Sequence, residues 1–332
     1  MPPPSASRPC PDNPRSPGRF PAREAVWLLH TTPVPRQVRW EPGHPVRIRR
    51  SHWTGVTTLA ANGLAENGGV GKCGGLDPVS LNLTSYVAIG DSFTEGVGDD
   101  LPDGRVRGWA DRVAHGLAAA STKPVSYANL AIRGRLLAPI VSDQLDAAIA
   151  LAPALISLNG GGNDILRPRV SIVSIADQLE AAVDRAVGSG AHVILLSGAD
   201  PTRHIPLGSL VRTRGNQLAA SVRDRLPKEH VTFVDNWADA ELGQLPYWSR
   251  DKLHLNPAGH ARVAGNVLAA LGVPIGDVSE SGLSAEAHER TAAYWRRYVL
   301  PWIGRRLTGR SSGDNRKPKI ATLQPVERLR HD

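Results

Sequence analysis

The sequence predicts an α/β domain in which a parallel sheet of about five strands carries helices on both faces. Between about residues 85 and 271, short runs rich in β-branched residues alternate with longer segments whose apolar residues recur at helical spacing. The short runs are bounded by Gly, Pro, Asn or Asp. Such alternation is typical of strand–helix–strand units, which build parallel sheets covered on both faces.

Each element follows from its local pattern. The β-branched runs predict strands at 85–89, 125–129, 154–159, 192–197 and 231–235. The helical periodicity predicts helices at about 107–120, 135–150, 172–188, 210–225 and 257–271. Asn256 is the expected N-cap of the last helix, with Pro257 in its first position. Since ligands of such sheets bind beyond the carboxyl ends of the strands, we expect the functional site there.

The flanks of this domain, which spans 84–272, have a different composition. Residues 1–80 are rich in Pro, Gly and Arg without a sustained apolar period, so we expect a disordered N-terminal extension. Of the net charge of +8, residues 1–52 contribute +6 and residues 301–332 contribute +5, which leaves −3 for the middle. A basic excess confined to the flanks is weak evidence for nucleic-acid binding, and we expect no nucleic-acid partner.

Cysteine content and hydropathy predict the compartment. The two cysteines, Cys10 and Cys73, cannot build a disulfide framework or a zinc site, as is typical of a reducing environment. The N-terminal residues contain no apolar run of the kind found in secretory signals, and no segment approaches the roughly eighteen apolar residues of a membrane span. We therefore expect a cytoplasmic protein.

A Gly-Asp-Ser triplet, Gly90-Asp91-Ser92, follows the first predicted strand. The triplet alone is typical of a turn, because Gly tolerates positive φ while Asp and Ser bond to nearby backbone N–H groups. A nucleophilic Ser92 is the alternative, but serine attacks at neutral pH only when a base takes its proton. The two interpretations differ in whether the chain also holds a base, an orienting acid and oxyanion donors.

A candidate base lies in the loop before the last helix, where Asp251 precedes His254 by three residues. At this spacing one bend of the chain directs the carboxylate at Nδ1 while Nε2 faces the cleft. A lone Asp-x-x-His motif is more often a loop feature without function, so that alternative stays open. His260, on the following helix, also stays open as a base.

Two glycine-containing motifs offer candidate oxyanion donors. Asn163 follows three consecutive glycines at the end of the third predicted strand, and Gly134 follows the second. Each motif alone is typical of a turn or of a helix entry. All the motifs, however, fall at one edge of the predicted sheet, and oxyanion stabilisation is often the largest single contribution to catalysis.

With these motifs in this order over residues 84–272, the chain resembles the SGNH hydrolases of the GDSL esterase/lipase superfamily, in particular cytoplasmic members of actinobacterial type. The resemblance implies a three-layer flavodoxin-like sandwich. It also implies a serine hydrolase that cleaves carboxylic esters through an acyl-enzyme, with Ser92 as nucleophile, His254 as base and Asp251 as its orienting acid.

The same resemblance implies an oxyanion hole formed by the Ser92 N–H, the Gly134 N–H and Asn163. It implies no metal and no organic cofactor, and its partner would be a small-molecule ester. Two alternatives stay open: a non-enzymatic binding module that kept the fold, and a carbohydrate deacetylase or thioesterase of the same family.

Composition gives one indication of the size of the acyl group. The chain contains only three Phe and no long apolar lid segment, which favours small or short acyl groups. The residues that flank the motifs are candidates for the pocket wall, with surface or packing roles as the alternative: Phe93, Arg135, Arg167 and Trp248.

Beyond the domain, residues 280–308 predict an amphipathic helix that Ser284 caps and that Pro301 kinks or ends. Its apolar stripe consists of Tyr294, Trp295, Tyr298, Val299, Trp302 and Ile303. We expect this stripe to pack on the hydrolase domain, with docking on an anionic membrane surface as the alternative. Residues 309–332 are polar and basic, and we expect a disordered tail. The oligomeric state is not predicted.

Overall fold

The computed structural model describes residues 83–206, 208–226, 228–274, 291–301 and 312–328. The strands are β1 (Ser85–Ile89), β2 (Ser126–Asn129), β3 (Leu155–Asn159), β4 (His192–Leu196), β5 (Val231–Val234) and β6 (Ile320–Pro325). They form one sheet in the order β5-β4-β3-β1-β2-β6. The first five strands run parallel, and β6 pairs with β2 in the antiparallel direction.

Helices connect the strands. They are α1 (Ser92–Glu95), α2 (Trp109–Ala120), α3 (Leu137–Pro139), α4 (Leu145–Ala150), α5 (Ile172–Gly188), α6 (Gly208–Arg225), α7 (Pro257–Ala270) and α8 (Thr291–Tyr294). A wider, π-type turn over Ile140–Gln144 joins α3 to α4, so the helix predicted at 135–150 is not uniform. The predicted alternation is confirmed, and the domain's strand and helix ends differ from the sequence-based ones by at most two residues.

The sheet separates two apolar cores. Along β1, Tyr86 and Ala88 face one core, whereas Val87 and Ile89 face the other, as the alternation of side chains in a strand requires. The first core includes apolar residues of α2 and α7, and the second includes those of α4 and α5 with Val222 of α6. The predicted three-layer sandwich is therefore confirmed.

The start of α7 fixes the loop that precedes it. Asn256 caps the helix by accepting a hydrogen bond from the Gly259 N–H at 3.0 Å, and Pro257 occupies the first position, as predicted. Gly259 allows a close approach, because a Cβ atom there would lie 2.4 Å from the carbonyl oxygen of Tyr247. This close contact anchors the segment that carries Asp251 and His254.

The sixth strand corrects the prediction of a disordered tail over 309–332. Ile320 and Val326 pack against the core that holds α2 and α7, and Leu323 packs against the other core. The apolar content of this segment is low, but β2 offers a row of backbone groups at the sheet edge, and pairing satisfies them. The sheet consequently has six described strands rather than about five.

Two of the sequence-based predictions concern residues outside the described ranges. They are the disordered extension over 1–80 and, in the C-terminal helix, the stretches 280–290 and 302–308. Of the helices that the structure describes, none combines the length and the apolar character that crossing a bilayer requires.

Candidate active site

The carboxyl edge of the sheet gathers the predicted site residues. Ser92 follows β1, Gly134 follows β2 and Asn163 follows β3, as the parallel topology requires. The loop before α7 brings Asp251 and His254 to the same edge. All five residues line one cavity.

The turn after β1 presents Ser92 at the first position of a four-residue helix. Gly90 has a φ of +154°, and a Cβ atom there would lie 2.5 Å from Thr94 Oγ1 and 2.9 Å from the Asn159 carbonyl oxygen. Asp91 caps the helix by accepting from the Phe93 N–H at 3.0 Å. The triplet is therefore a turn, and the turn places the serine in the cavity.

The Gln144 side chain also binds this turn, through the backbone of Gly90. Its side-chain oxygen accepts from the Gly90 N–H at 2.8 Å, and its amide donates to the Gly90 carbonyl at 3.0 Å. The side chain is buried at the end of the π-type turn between α3 and α4. Gln144 thus binds both backbone groups of Gly90, the residue that follows β1.

Ser92, His254 and Asp251 form a continuous hydrogen-bonded chain. His254 Nε2 lies 3.1 Å from Ser92 Oγ, and His254 Nδ1 lies 2.5 Å from Asp251 Oδ2. With Nδ1 donating to the carboxylate, Nε2 accepts from the serine hydroxyl. This is the arrangement that activates a serine, because the base lies within reach of the proton it must take.

The Asp251 carboxylate is held in the ionised form. Its Oδ1 accepts from Ser249 Oγ at 2.8 Å and from the N–H groups of Leu253 and His254 at 3.0 Å each. Burial alone would raise its pKa, but the charge of His254 and these hydrogen bonds outweigh burial and hold the pKa well below its usual range. The loop therefore delivers a negative charge to Nδ1 at neutral pH.

The Asp251 carboxylate in turn shifts the pKa of His254. Burial acts to lower it, yet the neighbouring Asp251 carboxylate and, more weakly, Asp91 act to raise it, and the net pKa lies above the ordinary 6.5. A raised pKa makes His254 a stronger base towards the serine hydroxyl.

His260, the other candidate base, has a structural role. It is fully buried, its Nδ1 accepts from the Trp109 N–H at 3.2 Å, and its Nε2 lies 3.2 Å from the Val97 carbonyl oxygen. Burial lowers its pKa to about 4, so the ring stays neutral at ordinary pH. It links α7 to the entry of α2 and makes no contact with Ser92.

Asn163 contacts the turn that carries Ser92 through Asp91. Its Nδ2 donates to Asp91 Oδ2 and to the Arg135 carbonyl, each at 3.0 Å. Asp91 is buried, and burial raises its pKa to about 6 against the opposing hydrogen bonds. The amide that the sequence singled out is thus oriented by the carboxylate beside the serine.

The cavity in front of Ser92 measures about 700 Å³. Beyond the polar site it is bounded by apolar side chains from β4, β5 and α6: Leu195, Leu196, Leu218, Ala219, Val222 and Phe233. The four flanking residues named from the sequence, Phe93, Arg135, Arg167 and Trp248, also line it. Trp248 additionally packs in the core, where its Nε1 donates to the Leu242 carbonyl at 2.7 Å.

Comparison with known proteins assigns the chain to a family. The sequence profile of the GDSL-like lipase/acylhydrolase family matches residues 88–262, more than half of the chain. The chain belongs to this family. It is an ester-cleaving hydrolase of the SGNH type, and the matched range contains the Ser92, Asp251 and His254 positions.

Several solved structures resemble this GDSL-like hydrolase. TesA is 22% identical with a TM-score of 0.46, and the match covers 56% of this chain and 97% of TesA. A catalytic mutant of Axe2, an acetylxylan esterase from Geobacillus stearothermophilus, is 19% identical with a TM-score of 0.48, covering 57% and 95% of the two chains. LAE5, an α/β hydrolase from the metagenome of Lake Arreo in Spain, is 19% identical with a TM-score of 0.46, covering 58% and 97%. No curated protein sequence matches the chain.

The hydrolase adds a C-terminal segment to the matched range, and part of that segment reaches the site. Tyr294 is buried, its hydroxyl donates to the Asp251 carbonyl oxygen at 3.1 Å, and the Lys252 ammonium lies 4.7 Å from the centre of its ring. The prediction that the aromatic stripe packs on the domain is confirmed at Tyr294. Trp295 and Leu300 are exposed at 38% and 54%, respectively.

The sequence did not point to several residues that shape this site. Gln144 contacts the turn that carries Ser92, and Tyr294 contacts the loop that carries Asp251 and His254. The Glu95 carboxylate accepts from the backbone N–H of Arg133, next to Gly134, at 2.6 Å. A polar Gln on the buried face of a predicted helix was the one available signal. In the described part of the chain, no three His, Cys, Asp or Glu side chains are grouped so as to hold a metal ion.

Proposed function

We propose that the protein hydrolyses carboxylic esters through an acyl-enzyme on Ser92, with His254 as the general base and Asp251 as the acid that orients it. The observation that carries the proposal is the hydrogen-bonded chain from Ser92 Oγ through His254 to the Asp251 carboxylate, with distances of 3.1 Å and 2.5 Å. The family assignment supports ester hydrolysis independently of this geometry.

The proposed reaction has two halves, acylation of Ser92 and hydrolysis of the acyl-enzyme. Ser92 Oγ attacks the ester carbonyl carbon while its proton passes to His254 Nε2, and the carbonyl oxygen becomes an oxyanion. The tetrahedral intermediate collapses as His254 returns the proton to the departing alkoxide, which leaves as the alcohol. A water molecule then attacks the acyl carbon of the acyl-enzyme while His254 takes one of its protons. The second tetrahedral intermediate collapses as His254 returns this proton to Ser92 Oγ, which releases the carboxylic acid and regenerates the serine.

The oxyanion hole in this proposal consists of the Ser92 N–H, the Gly134 N–H and the Asn163 amide. Ser92 begins a short helix, where the first N–H groups point out of the helix end. Both N–H groups of the Asn163 amide bond within the site, to Asp91 and to the Arg135 carbonyl. One of these bonds must be exchanged for the substrate oxygen when the tetrahedral intermediate forms. Each such donor is worth roughly 3–4 kcal/mol in the transition state.

The cavity favours an ester with an apolar acyl chain longer than acetyl. Its volume of about 700 Å³ falls within the range of about 300–1,000 Å³ that small-molecule pockets occupy. Its far wall is apolar, and an apolar cavity is filled favourably by an apolar group. The low Phe content predicted small or short acyl groups, whereas the wall, built of Leu, Ala and Val side chains with the single Phe233, favours a longer chain.

The test is hydrolysis of p-nitrophenyl acetate, butyrate and octanoate by the purified protein and its Ser92→Ala variant. The proposal predicts turnover of all three by the wild type, the fastest with a longer chain, and no enzymatic turnover by the variant. Activity confined to acetylated sugars or to thioesters would identify one of the alternative substrates. A wild type inactive on all of these compounds would favour a binding module that kept the fold.

A further inference from the structure

The C-terminal arm, which we define as residues 312–328, buries a lysine next to the active site. Lys319 Nζ donates to Asp111 Oδ2 at 2.6 Å, to the Glu95 carbonyl at 2.7 Å and to the carbonyls of Val106 and Arg107. The Lys319 side chain is 17% exposed. The Glu95 carbonyl lies at the end of α1, the helix that begins with Ser92, and the other acceptors lie in α2 or just before it. One ammonium group therefore links α1 to the start of α2.

The arm itself is docked firmly beside the site. Its strand β6 pairs with β2, with Ile320 opposite Asn129 at the carboxyl end of that strand. At the start of the arm, a Cβ atom on Gly313 would lie 2.1 Å from the Arg133 carbonyl oxygen, so the two backbones are in close contact. The arm lies outside the range that matches the family, which ends at residue 262.

The nucleophile helix depends on such contacts for its position. Helix α1 has four residues, too few to be stable through its own hydrogen bonds. Its C-terminal carbonyls need partners, and Asn129 Nδ2 donates to the Thr94 carbonyl at 3.0 Å while Lys319 donates to the Glu95 carbonyl. A cation at this end of a helix is also electrostatically favourable.

Glu95 connects the Lys319 ammonium to the loop that carries Gly134. While its carbonyl accepts from Lys319, its carboxylate accepts from the Arg133 N–H at 2.6 Å and from the Arg133 guanidinium at 2.6 Å and 2.9 Å. A second residue of the arm, Arg316, lies 3.9 Å from the same carboxylate. A displacement of Glu95 would therefore move the backbone that leads directly into Gly134.

We propose that Lys319 is a positioning residue, through which the C-terminal arm fixes the nucleophile helix and the Gly134 loop relative to each other. This inference rests on the proposed function, since it concerns the geometry of Ser92 and of the oxyanion donors. Lys319 does not line the cavity. Its loss should consequently affect the transition state rather than substrate binding.

The test is Lys319→Met, which keeps an unbranched side chain only one atom shorter and removes its charge. We expect kcat for p-nitrophenyl butyrate to fall about 10- to 100-fold with KM unchanged, because misplacement by about 1 Å costs about 100-fold in rate. An alkyl boronic acid, which forms a tetrahedral adduct with serine, should bind more weakly by a similar factor. Rates are measured well below the melting temperature and are expressed per serine titrated with a fluorophosphonate.

Two further variants separate positioning from folding. Arg328→Ala removes hydrogen bonds of the same arm to the carbonyls of Ser121 and Lys123, away from the cavity, and should leave kcat unchanged. The double variant Lys319→Met/Asp111→Asn also removes the carboxylate that the single change leaves buried without its cation. It should recover much of any lost melting temperature while kcat stays low.

The outcomes are distinct. If Lys319→Met and the double variant retain kcat within twofold of the wild type, the arm is only structural and the inference is wrong. If kcat recovers together with the melting temperature in the double variant, the inference is also wrong. An inactive wild type would instead contradict the proposed function.

Discussion

Filling the far part of the cavity should change the chain-length preference of the enzyme. Ala219 lies on α6, is 7% exposed and lines the cavity, whereas its neighbour Ala220 is exposed. Ala219→Phe would place a ring in the space that we assign to the acyl chain. Ala220→Phe adds the same ring one residue further along the helix, outside the cavity, and is the matched control.

The expected magnitude follows from the apolar area that a chain buries. Each buried methylene is worth about 0.8 kcal/mol, or about fourfold in kcat/KM. Octanoate has four more methylenes than butyrate, so complete burial in a cavity of about 700 Å³ would favour octanoate by about 3 kcal/mol, roughly 200-fold. This value is an upper bound, because an ester in water already folds part of its chain.

The assay compares kcat/KM for p-nitrophenyl acetate, butyrate and octanoate in the wild type and the two variants. We expect Ala219→Phe to lose most of the preference for octanoate and to retain acetate hydrolysis, which also shows that the variant folds. Ala220→Phe should behave like the wild type. Equal loss of acetate and octanoate hydrolysis, or an unchanged preference in Ala219→Phe, would refute the placement of the chain under α6.

Two other predictions concern the histidines. In the wild type, kcat/KM should fall as the pH drops through the raised pKa of His254, because only the neutral imidazole can take the serine proton. Asp251→Asn removes the carboxylate that raises the pKa of His254 and leaves the burial that lowers it. Its pH–rate profile should therefore show the acid limb at lower pH and a reduced plateau. An acid limb at the same pH as in the wild type would contradict the pairing of Asp251 with His254. His260→Phe leaves the Trp109 N–H and the Val97 carbonyl without partners and should cost about 2–4 kcal/mol of unfolding free energy by denaturant titration. The kcat of the folded variant should be unchanged. A loss of kcat in the folded variant would instead indicate that His260 takes part in catalysis.

The sequence was sufficient to predict the five parallel strands, the helices between them and the residues that meet at the carboxyl edge of the sheet. The strands are short apolar runs with clear turn residues at both ends, so their limits depend on local chemistry. Parallel topology then places the residues after β1, β2 and β3 at one edge without any knowledge of side-chain contacts. Ser92, Gly134 and Asn163 could be grouped for this reason.

The features that the sequence could not supply depend on contacts between distant segments. His254 and His260 look alike in sequence, and only the partners of each ring separate a base from a buried structural residue. Strand β6 contributes three aliphatic side chains in an otherwise polar and basic segment, and it forms because the edge of β2 offers it hydrogen-bond partners. The role of Lys319 likewise depends on acceptors more than 200 positions away in the chain.

The central claim is that Ser92 is the nucleophile, and mapping a covalent adduct tests it most directly. The wild-type protein is incubated with an alkyl fluorophosphonate, digested and analysed by mass spectrometry, in parallel with Ser92→Ala and His254→Ala. We expect one adduct on the peptide that contains Ser92, none on Ser92→Ala, and much slower labelling of His254→Ala. An adduct on another serine, or undiminished labelling of Ser92→Ala, would contradict this claim.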